Sequence, residues 1–190
     1  QETLLMSDQT ASNASKSAEK VYVWDVPTRL FHWSLVIAVT TSLISAELGS
    51  MTIHMLSGHV VLALVLFRLV WGVIGGRHAR FASFIKGPVH VLSYAKRMLA
   101  GETPPHLGHN PMGGWSVAAL ISLLALQAGT GLFANDDILT EGPLVPLISK
   151  STSNFLSFIH DLSSKGLYTL IALHLAAVAF YTVKGHPIIA

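Results

Sequence analysis

Four stretches of the chain are almost uninterruptedly apolar, and each approaches the roughly 20 residues that a membrane-spanning helix needs. They cover about 30–48, 54–74, 112–133 and 156–183, the last with LYTLIALHLAAVAFYTV as its apolar body. None shows the polar outer face that a helix of a soluble core carries. Pro27 sits early in the first span and Asp25 stands before it, both suited to a helix N-terminus. Residues 49–53 leave room only for a tight turn, so the first two helices are antiparallel neighbours. About 37 residues, 75–111, join the second helix to the third, and within them FIKGPVHVLSYAKRML mixes basic and apolar positions. That segment reads either as a helix lying along the membrane surface or as a plain loop helix. The pattern predicts an all-α, integral membrane four-helix bundle over 21–185. Residues 1–20 form a polar, disordered tail and 186–190 a short C-terminal one. Met6 is the expected natural start, with residues 1–5 expected to be an extension.

Composition agrees with a membrane protein. Of 190 residues 51% are hydrophobic and 12% charged, against about 25% charged in a soluble domain. Mean hydropathy is +0.54. The absence of cysteine excludes disulfides, thiolate metal sites and cysteine nucleophiles. Lys16, Lys20 and Arg29 precede helix one; Arg77, Arg80, Lys86, Lys96 and Arg97 lie between helices two and three; Lys184 follows helix four. The two remaining connections hold Lys150 against Glu47, Asp136, Asp137 and Glu141. Lys and Arg mark cytoplasmic loops, so both termini are expected in the cytoplasm. The net charge of +2 then describes one membrane face and not a nucleic-acid surface.

Histidine is the outlier, with 10 in the chain. Ionisable side chains at membrane depth are costly and face the bundle interior or a partner. His32, His54, His59, His160 and His174 lie in the spans, together with Arg68. His160 and His174 fall about 40° apart on one helix face and about 21 Å apart along it. They serve two different depths. With both termini on one side, His54 matches His160 near the outer side and His32 matches His174 near the inner side. Opposed imidazoles on two helices are a natural axial pair for haem iron. A transition-metal site or a proton relay is the alternative. His54 and His59 compete for the outer site. Arg68 shares the face of His54, whereas His59 lies about 180° from Arg68. An interior Arg68 therefore selects His54. Its charge either pairs with a propionate of the inner haem or snorkels to the interface.

The segments VWDVPTRLFHW (23–33), HMLSG (54–58), LFRLVWG (66–72), RHARF (77–81), LGHNPMGG (107–114), TGLF (130–133) and HLAAVAFY (174–181), in this order and spacing, together with His160–Asp161, resemble the bacterial cytochrome b561 family. The branch most resembled is that of the b-type cytochrome subunit of nickel–iron hydrogenases. The resemblance implies a multi-pass protein of the bacterial inner membrane. It implies two haem b groups, with His32, His54, His160 and His174 as iron ligands. It also implies electron transfer between quinone (ubiquinone or menaquinone) and a redox partner. That partner would be a c-type cytochrome or a dehydrogenase or hydrogenase subunit. Met55 and His59 depart from the family pattern, and Lys165 follows His160 by about 7.5 Å along the helix, where it snorkels or meets a propionate. Two other functions compete. A superoxide:quinone oxidoreductase would need a positive outer funnel, which the acidic outer loops do not supply. A non-redox metal transporter or assembly subunit would bind no haem.

Overall fold

The computed structural model describes residues 25–76, 79–101 and 111–183. Both terminal tails, most of the LGHNP segment, and His78, His106, His109 and His186 lie outside the described residues. Within them four helices are long and apolar enough to cross a membrane: α1 Val26–Glu47, α2 Met51–Ile74, α5 Pro111–Gly131 and α6 Lys150–Val183. The short α3 Phe81–Phe84 and the amphipathic α4 Pro88–Leu99 lie between α2 and α5. Three of the long helices occupy the apolar stretches of the sequence to within a few residues. The fourth begins at Lys150 and not near 156, because the polar run KSTSN is wound into its first turns.

Local chemistry sets the ends. The Asp25 carboxylate accepts from the Thr28 backbone N–H at 2.9 Å and caps α1, with proline in its first turn. Gly49, at φ 69°, makes the left-handed turn that reverses the chain into α2. Packing then runs α1 on α2, α2 on α5 and α5 on α6, with α4 against α5. Ala38, Val61, Val65, Ile121, Leu124 and Leu167 form the shared apolar centre.

Burial differs from that of a soluble protein in what lies outside and in how many polar groups lie inside. Large aliphatic side chains such as Ile37, Leu56, Val73 and Leu175 point outward. Ser45, Ser57, Arg68, Thr130, Ser153 and Ser163 are buried. Lipid takes the apolar surface, and small polar residues let the helices approach and bond internally. Ser57 and Thr130 return their hydroxyls to carbonyls of their own helices, Ile53 O and Leu126 O, each at 2.7 Å.

The connection after α2 is fitted to the bundle at glycines. A Cβ on Gly114 would stand 2.6 Å from the Phe84 carbonyl oxygen. The Trp115 indole donates to Lys86 O at 2.8 Å and fixes the same strip of chain. On the opposite connection, between α5 and α6, Asp136 Oδ1 accepts from the backbone N–H groups of Ile138, Leu139 and Thr140 at 2.8–2.9 Å. These bonds, that of Thr140 first, hold the exposed carboxyl well below its ordinary value.

Gly114→Ala forces a backbone and not a flexible side chain to move, so it is expected to destabilise by about 1–3 kcal/mol, read as a lower thermal midpoint in detergent. Asp136 stabilises its turn fully above the unfolded carboxyl value of about 3.9, and loses that effect only as pH falls further, through its lower folded value. The Thr140 amide resonance is therefore expected to stay unchanged down to pH about 4 and to move only in stronger acid. Titration at the ordinary aspartate value would contradict this.

Candidate haem-binding site

His54 near the start of α2 and His160 in α6 come together inside the bundle, with ring centroids 6.1 Å apart and planes at 83°. Each imidazole is anchored through Nδ1. His54 Nδ1 meets the Ser42 carbonyl at 2.9 Å and the Ser42 hydroxyl at 3.2 Å. His160 Nδ1 meets the Gln127 carbonyl at 3.0 Å and Thr130 Oγ1 at 3.2 Å. A carbonyl only accepts, so Nδ1 carries the ring proton in both residues and Nε2 keeps its lone pair. This is the arrangement by which metal-ligating histidines fix their tautomer and orientation.

The residues present fit a haem iron. Metal–imidazole bonds of about 2 Å put the two ligating nitrogens about 4 Å apart and the ring centres about 6 Å apart. The pocket around the pair is lined chiefly by apolar and small residues, among them Val39, Gly58, Leu124, Ala128 and Gly131. A Cβ on Gly58 would meet nothing within 4 Å, which leaves space beside the rings, and one on Gly131 would stand 3.0 Å from His160 Cε1. His59 also lines this pocket, but it is exposed and turns Nδ1 to the Met55 carbonyl of its own helix at 2.7 Å. It makes no ring contact with His160. Among the described residues no cluster of three His, Asp or Glu is placed to hold a bare metal ion.

The second pair is looser. His32 in α1, the expected partner of His174 in α6, has Trp33 edge-on at 5.5 Å. The two rings do not approach as the other pair does.

Arg68 is buried, at 3% exposure, so it does not snorkel. Its Nη1 donates to Ala79 O at 3.0 Å, and the guanidinium lies over Phe81 at 4.8 Å and near Phe84 at 5.9 Å. Nearby, Asp25 accepts from the Trp71 indole at 3.2 Å. Burial alone raises the Asp25 carboxyl, but the Thr28 and Trp71 hydrogen bonds and the Arg68 charge together bring it below its ordinary value. Arg68 thus clamps the connection after α2 onto the end of the bundle. Lys165 pairs with Asp161 at 2.9 Å, and Lys150 pairs with Asp137 and donates to Asn135 Oδ1.

Residues 23–190 match the family model of the prokaryotic cytochrome b561. The chain belongs to this family. Four apolar helices make it a multi-pass membrane protein, and haem b is the cofactor that membership implies. Among curated proteins, a probable Ni/Fe-hydrogenase B-type cytochrome subunit of Azotobacter vinelandii is 30% identical over 121 residues, 49% of this chain and 50% of that one. Its counterpart in Bradyrhizobium diazoefficiens is 27% identical over 139 residues, 55% of this chain and 56% of that one. The counterpart in Rhodobacter capsulatus is 26% identical over 193 residues, covering 86% of this chain and 71% of that one. The chain spans about half the length of the first two. No solved structure matches it.

Sequence reasoning missed Ser42, Gln127 and Thr130, the partners of the two rings. A signal was present for Gln127, an amide in the middle of an otherwise apolar span, where a polar side chain is costly.

Arg68→Leu leaves Ala79 O without its donor, and such a loss costs about 1–3 kcal/mol. Faster proteolysis across 76–84 and a lower thermal midpoint are expected, with Arg68→Lys restoring little because lysine lacks the flat guanidinium.

Proposed function

We propose that this cytochrome b561-family protein binds two haem b groups, one between His54 and His160 and one between His32 and His174. In this reading it carries single electrons between membrane quinone and a redox partner. The observation that carries the reading is the His54–His160 pair, with each Nδ1 spent on a helix carbonyl and the ring centres 6.1 Å apart. Haem iron, when bound, supplies one-electron exchange, and its potential is set by axial ligands, burial and surrounding charge. The chain does the rest. Ser42 and Gln127 hold the rings in the tautomer that presents Nε2, and the apolar lining of the pocket would exclude water from a bound haem. Burial of Val61, Val65, Ile121, Leu124 and Leu167 fixes the helices that carry the ligands.

The basic connection after α2 favours an orientation with both termini in the cytoplasm, in a bacterial inner membrane. The relatives are called hydrogenase cytochrome subunits, which supports a hydrogenase or dehydrogenase subunit as the partner. A superoxide-oxidising function gains no support, because Lys150 and Lys165 at the His160 end are paired to carboxylates and leave little positive field to steer an anion. Family membership favours a redox protein over a transporter.

Purified protein is expected to yield two haems per chain by pyridine haemochrome, with low-spin bis-histidine spectra. His54→Ala and His160→Ala should each remove one haem, His32→Ala and His174→Ala the other, and His59→Ala neither. One haem or none in the parent protein rejects the reading, as does loss of a haem in His59→Ala while His54→Ala keeps two.

A further inference from the structure

The third membrane helix, α5, has no histidine, yet it contacts one. Gln127 touches both nitrogens of His160: its backbone carbonyl meets Nδ1 at 3.0 Å and its side-chain Nε2 meets His160 Nε2 at 3.1 Å. Ser163, one turn beyond His160, donates its hydroxyl to Gln127 Oε1. The carbonyl contact at Nδ1 orders the protons of this set. The carbonyl of Gln127 takes the Nδ1 proton. Thr130 gives its own proton to Leu126 O at 2.7 Å, so its oxygen is free to accept from the same nitrogen. Ser163 fixes the amide with oxygen toward itself and N–H toward the ring, and the lone pair of His160 Nε2 receives that N–H.

We propose that Gln127 is a positioning residue for the axial ligand His160, acting on both ring nitrogens so that Nε2 stays unprotonated at the pocket lining. The backbone carbonyl draws the single ring proton to Nδ1, and an N–H beside Nε2 opposes its transfer there. The amide and iron are alternative partners for one lone pair. A neutral hydrogen bond shifts such an equilibrium by roughly two- to tenfold, which holds the ring without sealing it against a metal. Ser163 acts through the amide, and its hydroxyl has His160 O at 3.2 Å as a second acceptor. The proposal rests on His160 as a haem ligand.

The test compares Gln127→Glu with Gln127→Leu in full-length protein produced without haem and titrated with hemin, the haem on His32 and His174 serving as internal reference. A carboxylate beside Nε2 only accepts, so it draws a proton onto Nε2; the Gln127 backbone carbonyl still accepts from Nδ1, so the ring takes that proton as an imidazolium. Gln127→Glu is expected to weaken haem binding at the His160 site about tenfold or more and to leave the other site unchanged. Gln127→Leu keeps the backbone carbonyl and removes the competing N–H. Its affinity is expected to equal the parent's or to rise by up to about tenfold. Nitrogen-15 spectra of the same haem-free samples should show Nδ1 alone protonated in His160 of the parent and of Gln127→Leu, and Nε2 protonated in Gln127→Glu. Ser163→Ala unlocks the amide and is expected to give a mixture of tautomers, which tests the same point if the glutamate variant does not fold. Parent-like haem binding in Gln127→Glu, weaker binding in Gln127→Leu, or an unmixed Nδ1 proton in Ser163→Ala overturns the proposal. The underlying reading fails separately, when His160→Ala still binds two haems.

Discussion

A polar group inside hydrocarbon must find its partner within the protein, and the arrangement of this bundle follows from that requirement at its histidines. An imidazole carries a donor and an acceptor, and lipid answers neither. The donor goes to a main-chain carbonyl of the neighbouring helix, Ser42 for His54 and Gln127 for His160. These carbonyls belong to helices, so each ring registers one helix against the next as well as satisfying itself. The nitrogen left over is the one that chemistry can use. Satisfying the donor and preparing the ligand are one and the same act.

The same requirement explains why the interior holds serines, a threonine and an arginine beside its apolar centre, while many leucines and valines face out. Apolar packing alone does not distinguish the inside of a membrane bundle from its surroundings, since lipid is as apolar as leucine. Close approach at glycines and hydrogen bonds between small side chains give the helices their specific neighbours. Arg68 applies this logic at the end of the bundle. Its charge, stacked on Phe81 and bonded to Ala79 O, ties an irregular connection to a regular helix.

Much of this is legible in the sequence, because hydropathy marks membrane helices strongly and a tight turn fixes which two are neighbours. Helical phase places Arg68 and His54 on one face; in the structure Arg68 is buried and the His54 ring lies near that of His160. What the sequence conceals are contacts that span long separations. Nothing near Arg68 announces Ala79 O as its acceptor, and Ser42 offers His54 a backbone atom that every residue possesses. The polar start of α6 reads as loop because its serines and asparagine bond across to Asn135 and Phe133 O, partners that only the folded connection supplies. Gln127 was visible as an anomaly, but the search for metal ligands among histidines passes over an amide.

The length of α6 has a further consequence. Its 34 residues extend about 51 Å, well beyond the roughly 30 Å of bilayer hydrocarbon, and place His160 and His174 about 21 Å apart along that axis. On the dihaem reading, an electron exchanged between them crosses about two thirds of the membrane dielectric. A membrane potential of 100 mV acts on a unit charge with about 2.3 kcal/mol over the full thickness, so about 1.6 kcal/mol falls between the two depths. The balance of electrons between the two sites then shifts about fifteenfold with that voltage. An energised membrane would bias this protein electrically, before any donor or acceptor concentration changes.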